Sequence, residues 1–154
     1  MVNWRRSLSP IVLTAAVAAA AGAEDGRRDG GLVNTRSSAH ARLHSVDLAD
    51  VRWTDGFWAD RFATALDVSL PRLYELMADP EMGHAIQNQE IAAGRRGGEF
   101  QGEHWQDAWV YKWIESASYV YEQTRDPELL ATMDRLIEVI GEVQEKDGYT
   151  ASQT

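Results

Sequence analysis

The sequence predicts an all-α protein built from paired helices, and three observations support this fold class. Residues 103–122 place apolar side chains around most of a helical circumference, and Trp105, Trp109 and Trp113 recur at every fourth position. Residues 127–145 place apolar side chains on one face only, which predicts an outer helix. The short connection between the two segments predicts an antiparallel hairpin of an inner and an outer helix.

The first 23 residues have the organisation of a secretory signal peptide. Arg5 and Arg6 precede an apolar run from Ile11 to Ala21, and small residues follow as far as Ala23. The run is too short to cross a bilayer. We therefore expect cleavage after Ala23, a secreted or periplasmic protein, and no membrane span after cleavage. The adjacent arginines leave the choice between the general and the twin-arginine export route open.

Charge and cysteine content exclude several classes of partner and site. The chain has 15 basic and 24 acidic residues, a net charge of -9. Without residues 1–23 it has 13 basic and 24 acidic residues, a net charge of -11, because Arg5 and Arg6 are lost. Nucleic acid is therefore not an expected partner. The sequence has no cysteine, so it has no disulfides and no thiolate metal site.

The segments before the hairpin are predicted in chain order. Residues 24–46 are rich in Gly, Arg and Ser and predict a disordered linker, so the helical domain is expected to span residues 47–154. A turn at Asp55–Gly56 starts a helix near Phe57. Pro71 should break this helix around residues 68–70, and a second piece should end at Met77.

Residues 81–103 show no apolar periodicity and contain five glycines together with the pair Arg95–Arg96. A connection of this length is usually either functional or mobile. The sequence leaves two alternatives open here, a lid over a site or a disordered loop.

A row of polar side chains follows the Trp-rich helix. Asp107, Tyr111 and Glu115 lie four residues apart and therefore on one face. One interpretation is a solvated face, with the Trp residues in the core. The other is a sugar pocket, because such pockets combine carboxylates, phenols and indole rings.

Several short motifs occur in an order that resembles a known enzyme family. They are the run Val110–Glu115 (VYKWIE), Asp55-Gly56-Phe57-Trp58 with Arg61, Leu70-Pro71, Asn88 ahead of Ala92-Ala93-Gly94, and Gln144 with Asp147-Gly148-Tyr149. On these residues the chain resembles the β-L-arabinofuranosidase-like glycoside hydrolases, family 127 and its relatives, over roughly residues 50 to 154. Two positions depart from the family pattern: Ala108-Trp109 stands for Ser-Asp, and Thr150-Ala151-Ser152 stands for Leu-Asn-Thr.

The resemblance implies an (α/α)6 toroid of six inner and six outer helices, of which this chain would supply the first hairpins as an incomplete barrel. It implies release of β-L-arabinofuranose from plant-type glycans by a retaining mechanism. Members of the family use a cysteine nucleophile at a zinc site, and these positions would lie beyond the C-terminus of this chain. We therefore assign no catalytic residue, no metal ligand and no cofactor within the chain, and expect zinc only in the full-length enzyme. The 154-residue chain should be inactive by itself.

Helix geometry predicts which two segments meet, and the resemblance implies that both lie on the substrate side of the barrel. Two antiparallel helices of similar length bring residues 103–107 beside residues 147–154. The expected partner is an arabinose-containing glycan, and the expected substrate-binding residues are Asp107, Tyr111, Asp147, Trp105 and Trp109. The substitution Glu142→Gln, on the outer helix, is expected to have no effect.

Three alternatives remain at the level of sequence. The chain could belong to a different six-hairpin sugar enzyme, or it could be a non-catalytic helical binding module. A metal site formed by His84, Glu99, Glu103 and His104 is also conceivable, although the spacing matches no known ligand pattern.

Overall fold

The computed structural model describes residues 32–35 and 37–153, and every regular element within these ranges is helical. The predicted all-α class is therefore confirmed. The chain divides into two units, Met1–Val51 and Arg52–Thr154. The predicted signal peptide, residues 1–23, lies outside the described residues. Within those residues no helix combines the length and apolarity that a bilayer span requires.

The described part of the first unit contains one short 3-10 turn, Leu48–Asp50. The Asp47 carboxylate accepts a hydrogen bond from the Ala49 N–H at 2.9 Å and so caps this turn. Upstream, the Thr35 hydroxyl lies 3.0 Å from Nδ1 of His44.

The second unit begins with a helical segment that continues through a π turn. Helix α1 spans Gly56–Thr64, and the Asp55 carboxylate accepts from the Gly56 N–H at 2.7 Å. Helix α2 spans Leu70–Ala78, and a π-helical turn, Ala65–Ser69, joins it to α1. Pro71 cannot donate a backbone hydrogen bond, and the wider π turn accommodates it. The predicted break is therefore a local change of helical pitch.

Helix α3, Ala85–Ala92, differs from the sequence expectation, because this segment has no apolar stripe. It begins after a turn in which the Asp79 carboxylate accepts from the N–H groups of Glu81 and Met82. His84, just before the helix, has a left-handed backbone (φ 53°). The segment 81–103 is thus a short helix followed by a loop, and not a structureless connection.

Helices α4, Asp107–Thr124, and α5, Pro127–Val143, form the predicted hairpin. Arg125 ends α4 in a left-handed conformation, and the Asp126 carboxylate caps α5 through the Glu128 and Leu129 N–H groups. A 3-10 turn, His104–Gln106, precedes α4. Helix α2 packs on α4, and α3 packs on α2, α4 and α5.

The core lies between these helices. Its buried members are Leu70, Met77, Ala85, Ile86, Val110, Trp113, Ala117, Val120, Met133 and Leu136. The Trp113 indole donates a hydrogen bond to the Leu70 carbonyl at 2.9 Å and packs 5.3 Å from the Tyr74 ring.

Within the described residues, helix α4 is covered on one side only. Helix α4 buries one face, made of Val110, Trp113, Ala117 and Val120. Trp105 is 57% exposed, because it lies in the 3-10 turn that precedes the helix. The described helices cover only one side of α4, and the side with Tyr111 and Glu115 stays exposed.

Candidate functional site

The start of α4 is joined to the segment that follows α5 by a carboxylate. Oδ2 of Asp107 accepts from the Ser152 N–H at 2.8 Å, and Oδ1 accepts from the Ser152 hydroxyl at 2.5 Å. Ser152 is buried, with 4% exposure. Bonds to an ionised acceptor are stronger than neutral ones. The predicted approach of residues 103–107 and 147–154 is thus seen in direct contacts, which we call the Asp107–Ser152 clamp.

A second link lies beside the clamp. The Gln153 amide donates to the His104 carbonyl at 2.6 Å, and its amide oxygen contacts Nδ1 of His104. The His104 ring stacks on Phe100 at 5.7 Å. These contacts tie the end of the described chain to the 3-10 turn before α4.

Asp147 caps its own turn. Its carboxylate accepts from the Tyr149 N–H at 3.0 Å, and the Glu145 N–H donates to the Tyr149 carbonyl at 2.8 Å. The Gln144 amide donates to the Gly148 carbonyl at 3.0 Å. The Tyr149 ring is left 59% exposed at this end of the molecule.

The two predicted indoles form an edge-to-face pair, with the rings of Trp105 and Trp109 5.0 Å apart at 71°. Such pairs are a preferred aromatic geometry. Trp105 is exposed and Trp109 partly buried. Tyr111 lies one helical turn after Asp107 and is 36% exposed. The structure therefore places the indole pair and the clamp along the same first turns, whereas Asp147 bonds only within its own turn.

The loop after α3 reaches the same end of the hairpin. Arg95 makes two hydrogen bonds to the Glu142 carboxylate, at 2.5 and 2.7 Å, and lies 3.3 Å from Glu138. The hydrogen bond from Arg95 lowers the pKa of Glu142, and the same bond raises the pKa of Arg95. Glu142 therefore links this loop to α5.

Sequence reasoning missed Ser152, Gln153 and the Arg95–Glu142 pair. Ser152 could have been found, because it replaces the polar Thr that follows the Asp-Gly-Tyr motif in the family pattern. The hairpin geometry also brings this position close to Asp107. Arg95 and Glu142 are distant in sequence, and no periodic pattern connects them.

The described ranges contain no group of three His, Asp or Glu side chains that could hold a metal ion. His84, Glu99, Glu103 and His104 accordingly do not come together as a metal site. The residues present here do not fit the zinc site of the resembling family.

The chain is similar to known proteins in sequence and in fold. Residues 50–154 match the family model described as β-L-arabinofuranosidase, GH127 catalytic domain. The chain is 33% identical over 116 residues to a non-reducing end β-L-arabinofuranosidase of Bifidobacterium longum subsp. longum, covering 65% of this chain and 18% of that protein.

A solved structure is similar as well. A GH127 β-L-arabinofuranosidase from Geobacillus stearothermophilus T6 superposes with a TM-score of 0.63 at 38% identity, covering 67% of this chain and 17% of that one. The helices are consistent with part of an α/α barrel. The chain thus spans less than a fifth of the length of these relatives. The motif order and the family match lead to one conclusion: this chain belongs to the GH127 β-L-arabinofuranosidase family of glycoside hydrolases.

Proposed function

We propose that the protein is a secreted glycoside hydrolase that releases β-L-arabinofuranose from arabinose-containing plant-type glycans by a retaining mechanism. Family membership carries this proposal, and the names of both relatives agree with it. The signal-peptide pattern of residues 1–23 supports secretion.

We place the catalytic groups outside these 154 residues. The resembling enzymes use a cysteine nucleophile, and this chain has no cysteine. The chain also covers only 18% of the B. longum enzyme. Zinc is likewise a proposal for the full-length enzyme, with ligands that this chain does not supply.

The contribution of this chain is a wall of the sugar site. Asp107 uses each carboxylate oxygen once for Ser152, and a carboxylate oxygen can accept more than one hydrogen bond. Its remaining acceptor capacity suits sugar hydroxyls. The Trp105–Trp109 pair offers an apolar surface beside it, and Tyr111 offers a phenol one turn further along the helix. Asp147 and its exposed neighbour Tyr149 complete the proposed contacts.

The substitution of an indole for a carboxylate at Trp109 bears on the choice of sugar. An indole cannot accept a hydrogen bond as a carboxylate does, so the sugar held here can differ from that of the relatives. The experiment is therefore a substrate panel with the full-length protein, in which nitrophenyl β-L-arabinofuranoside is compared with the α-anomer and with arabinopyranosides.

We expect hydrolysis of the β-L-arabinofuranoside and retention of configuration in the first product, read by NMR. Hydrolysis confined to another sugar would reject the substrate. Binding of arabinose-containing glycans without any hydrolysis would favour a binding module.

A further inference from the structure

We propose that the polar cavity beneath the loop after α3 binds one neutral sugar unit, as a subsite separate from the Asp107–Ser152 clamp. The choice of a sugar as ligand rests on the proposed function. The cavity has a volume of about 170 Å³, and its polar lining residues are His84, Gln87, Asn88, Arg96, Glu99 and Gln101.

The walls of this cavity are held before any ligand arrives. The Asn88 amide donates to the Gln101 carbonyl at 2.8 Å and accepts from the Gln101 N–H at 3.1 Å. Asn88 is 1% exposed, so this link is buried at its helix end. On the other side Arg95 is bound to Glu142. A loop fixed at both ends loses little entropy when a ligand binds.

The charges around the cavity favour a neutral ligand. Arg96 and Glu99 carry opposite charges, so the lining has no strong net sign. A guanidinium, a carboxylate and an imidazole from His84 together offer both donors and acceptors. Hydroxyl groups can act as donors or as acceptors, whereas an anion would be repelled by the Glu99 carboxylate.

The volume of the cavity limits the ligand to a single small ring. Pockets for drug-sized ligands measure about 300 Å³ or more, and this cavity is smaller. Gly97 and Gly98 line the cavity. A Cβ added at Gly97 would meet no atom within 4 Å, so the space beside the Gly97 backbone is empty. The larger cavity between α2 and α4, about 370 Å³, is lined mainly by apolar residues such as Leu73 and Leu76 and would leave hydroxyl groups without partners.

The test is hydrogen exchange of the full-length protein with free L-arabinose at millimolar concentration. We expect slower exchange of the backbone amides of residues 95–101. Arg96→Ala should weaken L-arabinose binding about ten-fold or more, because hydrogen bonds to charged groups are among the stronger ones. Glu99→Gln should weaken it in the same direction.

The matched control is Arg72→Ala. Arg72 is an exposed arginine that pairs with Glu75 at 2.6 Å and does not line the cavity, so this variant should bind L-arabinose as the wild type does. Unchanged exchange of residues 95–101, or equal affinity in Arg96→Ala, overturns the proposal. Stronger protection by inorganic phosphate overturns the neutral ligand.

Two further outcomes separate this inference from the proposed function. If protection of residues 95–101 disappears in Asp107→Asn and persists in Arg96→Ala, it belongs to the clamp region and the subsite is rejected. If the loop is protected but no arabinofuranoside is hydrolysed, the subsite stands and the proposed function fails. If arabinofuranoside is hydrolysed without loop protection, the subsite is rejected and the proposed function stands.

Discussion

Helix α3 with its following loop and the α4–α5 hairpin are held together by different interactions. The buried residues of the hairpin helices are all apolar, from Val110 to Val143. Helix α3 buries Asn88 and Gln89 among its four buried residues, and both amide atoms of Gln89 are buried with no hydrogen-bond partner among residues 32–35 and 37–153. Apolar periodicity therefore builds the hairpin, while α3 and its loop depend on individual polar contacts.

The largest expected effect is in the hairpin core. Trp113→Ala should lower the free energy of unfolding by about 3–5 kcal/mol, the usual cost of removing a large aromatic side chain from a core. Trp113 is 5% exposed, and loss of its indole N–H would leave the Leu70 carbonyl without this donor. Denaturant titration measures the change. The control is Trp105→Ala at an exposed indole, and equal losses in the two variants would contradict the burial difference.

The next effect concerns the loop after α3. Asn88→Ala removes both hydrogen bonds to the Gln101 backbone, and it should cost about 1–3 kcal/mol. Exchange of the Gln101 amide should accelerate in the variant. Gln101→Ala is the matched control, because it keeps the backbone groups that Asn88 binds. If Asn88→Ala were as stable as the wild type, the Asn88–Gln101 hydrogen bonds would not stabilise the loop after α3.

The clamp gives a kinetic prediction for the full-length enzyme. Asp107→Asn should lower kcat/KM about ten- to a hundred-fold, which corresponds to about 1.4–2.7 kcal/mol. Ser152→Ala removes one of the two bonds to Asp107 and leaves the Ser152 N–H in place. A smaller loss in Ser152→Ala than in Asp107→Asn would indicate direct sugar contact by Asp107. Equal losses would indicate that Asp107 acts only by holding the loop, and normal turnover with a lowered Tm would remove it from the site.

The smallest effect is expected at the exposed ion pair. Glu142→Gln should lower Tm slightly at neutral pH, because the negative charge and one of the two oxygens that accept from Arg95 are lost. Since Arg95 lowers the pKa of Glu142, the stabilisation is present above the ordinary glutamate pKa and is lost as the pH falls through the lower folded value. The Tm difference between variant and wild type should therefore shrink towards acid pH. Glu138→Gln, at the longer 3.3 Å contact, is the control and should change less.

Much of the candidate site could be predicted without coordinates. Matched helix lengths brought Asp107 near residues 147–154, and the direct bonds to Ser152 lie where this argument put them. The motif order also predicted the family. What could not be predicted was how the Asp107 oxygens are used, since hydrogen-bond partners depend on positions of a few tenths of an ångström.

Local sequence is enough to specify the helices whose apolar residues repeat with the helical period, because burial of one face stabilises a helix in almost any packing. The caps at Asp55 and Asp126 are equally local, since they act within three residues. The remaining features depend on long-range contacts. Helix α3 forms where α2, α4 and α5 surround it, and Asn88 and Arg95 find Gln101 and Glu142 across distances that local propensity does not encode. A polar contact contributes to stability only when its partner is already held in place. An apolar face is stabilised by burial against any neighbouring surface, because the hydrophobic effect is not directional.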